Sequence, residues 1–298
     1  MAVDSNVLFI VNEKDVVMVD ANIGPESAGA TLRALKKITD KPVSAIIATH
    51  YHDDHMGGID TVLKAFPKAE VIAHESAPKA IEDLLKPARK GMIDVAPQMS
   101  KLLSDLMEKG KSFGGWPITD EERISYKNDI RIAERYAREM PAMPLPTPTR
   151  LVKDKLVLKH GSRTIEVLHL GKGHTPSDLV VWLPKEKIVA SGDLVVYPVP
   201  LVGGPQSWIK EWPFTLNAMK GLGATQIVPG HGPVLTDYQY IDKMSAFFTS
   251  AYSSVKDGKE IDSLFEKEFC GPSGLRKVLW DNYVKAPTIA AIKRDLNQ

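Results

Sequence analysis

Thr49-His-Tyr-His-Asp-Asp-His55 gathers three histidines and two aspartates in the pattern His-x-His-x-Asp-His. The apolar run Val43-Ser-Ala-Ile-Ile-Ala48 leads straight into it, and Gly57-Gly58 and the short helical pattern Ile59–Phe66 follow. That order reads as a buried strand, a loop crowded with metal-ligating side chains, and a helix. Loops beyond strand ends are where a rigid scaffold offers polar groups to a ligand. The spacing is specific enough to set aside a merely solvated loop.

Outward from this motif, three segments repeat the arrangement. Glu166-Val-Leu-His-Leu170 feeds Gly171-Lys-Gly-His-Thr-Pro-Ser-Asp178, Lys187-Ile-Val-Ala190 feeds Ser191-Gly-Asp193, and Gln226-Ile-Val228 feeds Pro229-Gly-His-Gly232. Each places His174, Asp193 or His231 just after a strand, beside glycines that permit close backbone approach. Singly, such Gly-His and Gly-Asp turns are common. Joined to the cluster, they complete a set of imidazoles and carboxylates that suits zinc, and also iron or manganese. His74, His160 and His169 lack that setting and read as ordinary core or surface histidines. A His-Glu-x-x-His pair is absent, so a helix-borne metalloprotease site is not supported. Cys270 is the only cysteine, which excludes an internal disulfide and a thiolate zinc site.

The flanking pattern is α/β. Val7–Val11 and Val16–Asp20 read as strands, Ser27–Ile38 as a one-faced helix, Pro42–Thr49 and Glu70–Ala73 as further strands. From Ser76 to Arg150 the chain turns helical and ends in Pro141, Pro144, Pro146 and Pro148, which cannot continue a helix. Strands resume at Leu151–Leu158, Thr164–Leu170, Leu179–Leu183 and Lys187–Ala190. A helix over Trp208–Leu222, the strand Gln226–Val228 and a mostly helical tail from residue 238 complete the chain. Alternation in two halves predicts α/β layers with helices outside, in one domain over residues 1–298 with a helical insertion at 76–150.

The 298 residues are 43% apolar and 25% charged, with 38 basic against 37 acidic residues and a net charge of +1. No electrostatic footprint for nucleic acid or an anionic membrane shows, and no apolar run reaches the ~18 residues of a bilayer span. A small-molecule substrate is therefore expected; oligomeric state has no signature. As written, the sequence predicts a cytoplasmic protein, or a periplasmic or secreted one if a leader precedes it.

These residues resemble the metallo-β-lactamase superfamily over about residues 6–234, with its four motifs in order. The resemblance implies a four-layer αβ/βα sandwich and two Zn2+ per chain. His50, His52 and His174 match the ligands of one metal, and Asp54, His55 and His231 those of the other. Asp193 matches the bridging carboxylate, and Asp20 a structural aspartate. The implied activity is that of a dinuclear zinc hydrolase, in which a metal-bridging hydroxide attacks an activated carbonyl: a thioester, lactone or β-lactam. Asp54 would both bind metal and orient the hydroxide. Gly192-Asp193 keeps a carboxylate that true β-lactamases of the superfamily usually replace, which is more similar to glyoxalase II-type thioesterases and lactonases. His52 stands where diiron oxygen-reducing relatives carry glutamate. A mononuclear iron sulfur dioxygenase, a phosphodiesterase of the same fold and a non-catalytic metal scaffold are the alternatives. Tyr197 is the candidate substrate-binding residue, as a donor to the oxyanion. Thr175 and Asp178 are expected either to orient a ligand imidazole or to shape a turn. Phe113-Gly-Gly-Trp-Pro117 is expected to be a lid or a turn between helices.

Overall fold

In the computed structural model, which describes residues 4–269 and 279–297, the polar turn at 12–15 folds Leu8–Val11 (β1) antiparallel onto Val16–Val19 (β2). All four residues of β2 are buried, as expected of an apolar run covered on both faces. Val43–Ile47 (β3), Glu70–His74 (β4) and Arg150–Val152 (β5) continue the sheet in parallel, in the order β1-β2-β3-β4-β5. Between strands run Pro25–Lys36 (α1), Asp53–Met56 (α2) and Ile59–Ala65 (α3); Pro25 sits in the first turn of α1, where its missing N–H costs nothing. Met18, Leu35, Ile46, Tyr51, Ile59 and Val62 pack into one apolar cluster beneath them.

The helical stretch follows β4. It comprises Ala77–Ala80 (α4), a wide π-helical turn at Ile81–Leu85, Lys86–Glu108 (α5) and Asp120–Glu139 (α6), with α5 packed on α6. A reciprocal capping box opens α6: Glu122 N donates to Thr119 Oγ1 at 3.2 Å, and Thr119 N donates to Glu122 Oε2 at 2.9 Å. The glycine–tryptophan segment is the turn between these helices. Ser112 N donates to Trp116 O at 2.8 Å, and Phe113 N to Tyr126 Oη at 2.8 Å.

The chain divides into two compact units, Met1–Lys153 with Leu158–Thr164, and Asp154–Val157 with Ile165–Gln298. The predicted strand at 151–158 is in fact two: β5 ends at Val152, and Lys155–His160 (β6) belongs to a second sheet. The polar pair Lys153-Asp154 bends the chain between them, with His169 N held on Asp154 O at 2.9 Å. That second sheet runs β10-β9-β8-β7-β6, with Arg163–Leu168 (β7), Val180–Leu183 (β8), Ile188–Val196 (β9) and Gln226–His231 (β10). Trp212–Lys220 (α7) starts with Pro213 in its first turn, a position where proline initiates a helix. Trp212 stacks on Phe248 of Gln239–Lys256 (α8) at 4.4 Å and donates Nε1 to Leu194 O at 3.1 Å. Asp262–Phe269 (α9) and Ala286–Leu296 (α10) follow, so the described part of the tail is mostly helical; Cys270 lies outside the described residues. No helix among the described residues is long and apolar enough to cross a membrane.

The hairpin tip at 158–164 groups with the first unit, where His160 Nδ1 meets Asp15 Oδ2 at 2.8 Å. Burial pushes the Asp15 carboxyl up, but hydrogen bonds from Ser44 and Asn12 and the neighbouring His160 outweigh it and hold the pKa below 3.8. A depressed carboxyl stabilises the fold above its unfolded pKa and loses that contribution as pH falls through the folded value. Asp15→Asn should therefore cost about 1 kcal/mol at pH 7, or roughly 2 °C of melting temperature. The gap from wild type should narrow only as pH falls below about 4; a gap that widens on acidification would contradict the assignment.

Candidate metal centre

In the first unit the donors hang from a buried aspartate. Asp20 ends β2 in the left-handed region (φ 60) and is only 2% exposed. Its Oδ1 accepts from Thr49 N at 2.8 Å, and its Oδ2 from Thr49 Oγ1 at 2.9 Å and His55 Nδ1 at 2.7 Å. Because the Thr49 hydroxyl gives its proton to Asp20, it accepts from His50 Nδ1, 3.1 Å away. Both back nitrogens are thus tied down as donors, so each Nε2 carries the ring's lone pair. His50 Nε2 lies 3.1 Å from His52 Nδ1, and His55 Nε2 lies 3.4 Å from Asp54 Oδ2.

Gly57 and Gly58 let this loop close on the segment after β2. Ala21 N donates to His55 O at 2.8 Å and Gly58 N to Asn22 O at 3.0 Å. A Cβ on Gly58 would sit 2.0 Å from Ala21 O, and one on Gly57 2.2 Å from Ile23 O.

The second unit carries His174, Asp193 and His231. Asp193 was expected after a strand, yet β9 runs on through it to Val196, and β10 likewise includes His231. Gly192 explains the difference: its φ of 50 and the register shifts opposite it form a bulge that re-aims the side chain without ending the strand. Gly230 leaves room for the result, since a Cβ there would lie 1.9 Å from Asp193 Oδ1. His174 donates Nδ1 to Leu201 O at 3.3 Å and leans edge-on against Trp212. The Asp193 carboxylate stands between two imidazoles, Oδ2 at 3.4 Å from His174 Nε2 and Oδ1 at 3.5 Å from His231 Nε2.

The side chains of Thr175 and Asp178 bond each other and shape a turn. The Asp178 carboxylate accepts from Thr175 N at 2.9 Å and Thr175 Oγ1 at 2.7 Å. Burial pushes this carboxyl up to about 7, the Thr175 bonds opposing and the Asp193 charge adding to the rise. Tyr197 follows β9 directly, donates its N–H to His231 O at 3.1 Å, packs its ring on Tyr240 and stays 36% exposed. His74, His160 and His169 are held by Ser76, Asp15 and the Asp178 carbonyl respectively. Sequence reasoning missed three supports: the Thr49 hydroxyl, the Leu201 carbonyl, and the partners of Asp53, which are Arg89 and Tyr136. Only Thr49 carried a signal, by its place in the motif.

The donor sets fit zinc. Imidazole nitrogen or carboxylate oxygen at about 2.0–2.2 Å around a tetrahedral ion sets neighbouring donors roughly 3.4 Å apart. Separations within each unit run from 3.1 to 3.5 Å. All these side chains are of types that hold a metal ion.

A sequence profile described as the metallo-beta-lactamase superfamily matches residues 2–231. The chain is 23% identical over 249 residues to a linear primary-alkylsulfatase of Pseudomonas sp. (strain ATCC 19151), covering 81% of itself but only 44% of that relative. It is 26% identical over 237 residues to a metallo-beta-lactamase type 2 of Bacillus cereus, covering 78% of itself and 69% of the relative. Among solved structures, a metallo-beta-lactamase from Pontibacter korlensis superposes with a TM-score of 0.55 at 20% identity, over 82% of this chain and 87% of that one. FIM-1 from Pseudomonas aeruginosa, in a mono-zinc form, gives 0.54 at 18% identity over 83% and 84%. These likenesses show the fold, the αβ/βα sandwich that the resemblance implied, and it agrees with the α/β layers expected from the alternation of strands and helices.

Proposed function

The chain belongs to the metallo-beta-lactamase superfamily, and from that premise we propose that it is a dinuclear zinc hydrolase acting on an activated carbonyl of a small molecule. The two units work as one domain, residues 76–150 being an insertion in it. In this reading His50, His52 and His174 hold one ion, Asp54, His55 and His231 hold the other, and Asp193 serves both. Zinc bound there supplies a water acidified toward neutrality and a Lewis acid for the carbonyl oxygen. Asp54 would orient that water toward the carbonyl carbon and accept its proton through the carboxylate. Tyr197 donates its phenolic proton in a hydrogen bond to the developing oxyanion. Asp20, Thr49 and the Leu201 carbonyl keep the imidazoles in the required tautomers.

One observation carries the proposal: both Asp193 oxygens face an imidazole Nε2 at the spacing of a zinc tetrahedron, as a bridging ligand would. The test is metal analysis of zinc-reconstituted protein, followed by turnover of nitrocefin, an acyl-homoserine lactone, lactoylglutathione, a primary alkyl sulfate and a phosphodiester. About two zinc ions per chain with hydrolysis of one of the three carbonyl substrates is the expected result. Hydrolysis of the alkyl sulfate alone would move the substrate class to that of the Pseudomonas relative. Full activity in metal-free protein would overturn the metal centre itself.

A further inference from the structure

Asp53 lies between two proposed ligands, His52 and Asp54, and opens α2, yet its own side chain turns toward the helical hairpin. Arg89 of α5 grips it with a fork, Nε to Oδ2 at 3.0 Å and Nη2 to Oδ1 at 2.5 Å. The other arm of the same guanidinium donates to Pro144 O at 3.0 Å. Tyr136 of α6 donates its hydroxyl to Asp53 Oδ2. Burial, with the Asp53 charge adding, pushes that phenol upward, so it remains a donor. Arg89 is 6% and Tyr136 5% exposed, unusual depths for an arginine and a phenol on surface helices.

A half-buried carboxylate held by one guanidinium and one phenol has a single low-energy position. Its neighbours along the chain, His52 and Asp54, inherit that position because α2 is a single turn with little rigidity of its own. We infer that Arg89 and Tyr136 are positioning residues of the metal centre: through Asp53 they set where His52 and Asp54 present their donor atoms. The inference rests on the dizinc reading, since it gives the helical hairpin a task in metal binding.

The test measures zinc affinity, by competition with a chromophoric chelator, and the visible absorption of cobalt(II)-substituted protein. Wild type, Arg89→Ala, Arg89→Lys and Tyr136→Phe are compared. Outer partners of metal ligands typically govern affinity by about 10–100-fold. Arg89→Ala should weaken zinc within that range and alter the cobalt bands, Arg89→Lys should recover part of the loss, and Tyr136→Phe should fall between Arg89→Lys and wild type. Should Arg89→Ala fail to fold, Tyr136→Phe, which keeps its ring packing, still decides. Wild-type zinc affinity and cobalt bands in folded variants, with only the melting temperature lowered, would reduce the clamp to scaffolding and leave the dizinc reading intact. A wild type that binds no zinc would overturn both.

Discussion

Asp193→Ala is expected to strip the protein of bound zinc and to lower kcat/KM on the order of 1,000-fold or more, the two losses appearing together. Its carboxylate is 5% exposed and is aimed at both His174 and His231, so alanine removes a donor from beside each imidazole. Ligand removal differs from damage to the fold in its thermal signature. A buried carboxylate beside Asp178 carries desolvation and like-charge costs when no cation is present, and alanine removes both. The variant should therefore melt near wild type in chelator. Wild type alone should gain on adding zinc, by about 2.7 kcal/mol at a hundredfold excess over Kd. Chelator-treated wild type should match the activity of the variant. Asp193→Asn keeps the shape but only one acceptor oxygen, and should hold at most one ion. A variant that loses turnover while binding two zinc ions would assign Asp193 to the substrate.

Gly58→Ala should be the most destabilising small change near the motif. The added methyl would lie 2.0 Å from Ala21 O and 2.6 Å from Ala28 Cβ, and backbone cannot swing aside as a flexible side chain would. Losses above roughly 4 kcal/mol belong to few mechanisms, and backbone collision in a packed region is one. At ~2 °C per kcal/mol for a chain of this size, the melting temperature should fall by about 8 °C or more. The displaced segment includes Asp20, whose grip on His55 Nδ1 would loosen, so zinc affinity should drop as well. Gly91→Ala supplies the internal comparison. That glycine sits exposed in α5 with nothing within 4 Å of a new Cβ, so alanine should stabilise by about 0.8–1.0 kcal/mol through helix propensity. Equal melting temperatures for the two variants would refute the steric account.

Local information explains what could be read in advance. The motif at 49–55 announces itself because its donors are neighbours in sequence, and the strand before it is apolar enough to be seen as buried. His174, Asp193 and His231 were legible as motif residues, while the ends of β9 and β10 were not. Ser191 and Gly192 look like a strand terminator, and only the pairing with β10 shows that the glycine makes a bulge within one. The split of the predicted 151–158 strand failed for the same reason: two short polar residues do not reveal that successive strands join different sheets. Arg89 and Tyr136 were invisible. They lie 36 and 83 residues from Asp53, on helices whose charged faces look solvated, and no periodicity distinguishes a buried arginine from an exposed one.

The fork between Arg89 and Asp53 also bears on attempts to engineer the chain. A minimised version stripped of residues 86–139 would keep a carboxylate in the floor of the ligand loop and lose both groups that neutralise or bond it. Grafting a foreign helical cap raises the same difficulty unless the cap brings its own cation to that spot. Any such design should replace Asp53 by an uncharged residue first, and treat cap and loop as one inherited unit.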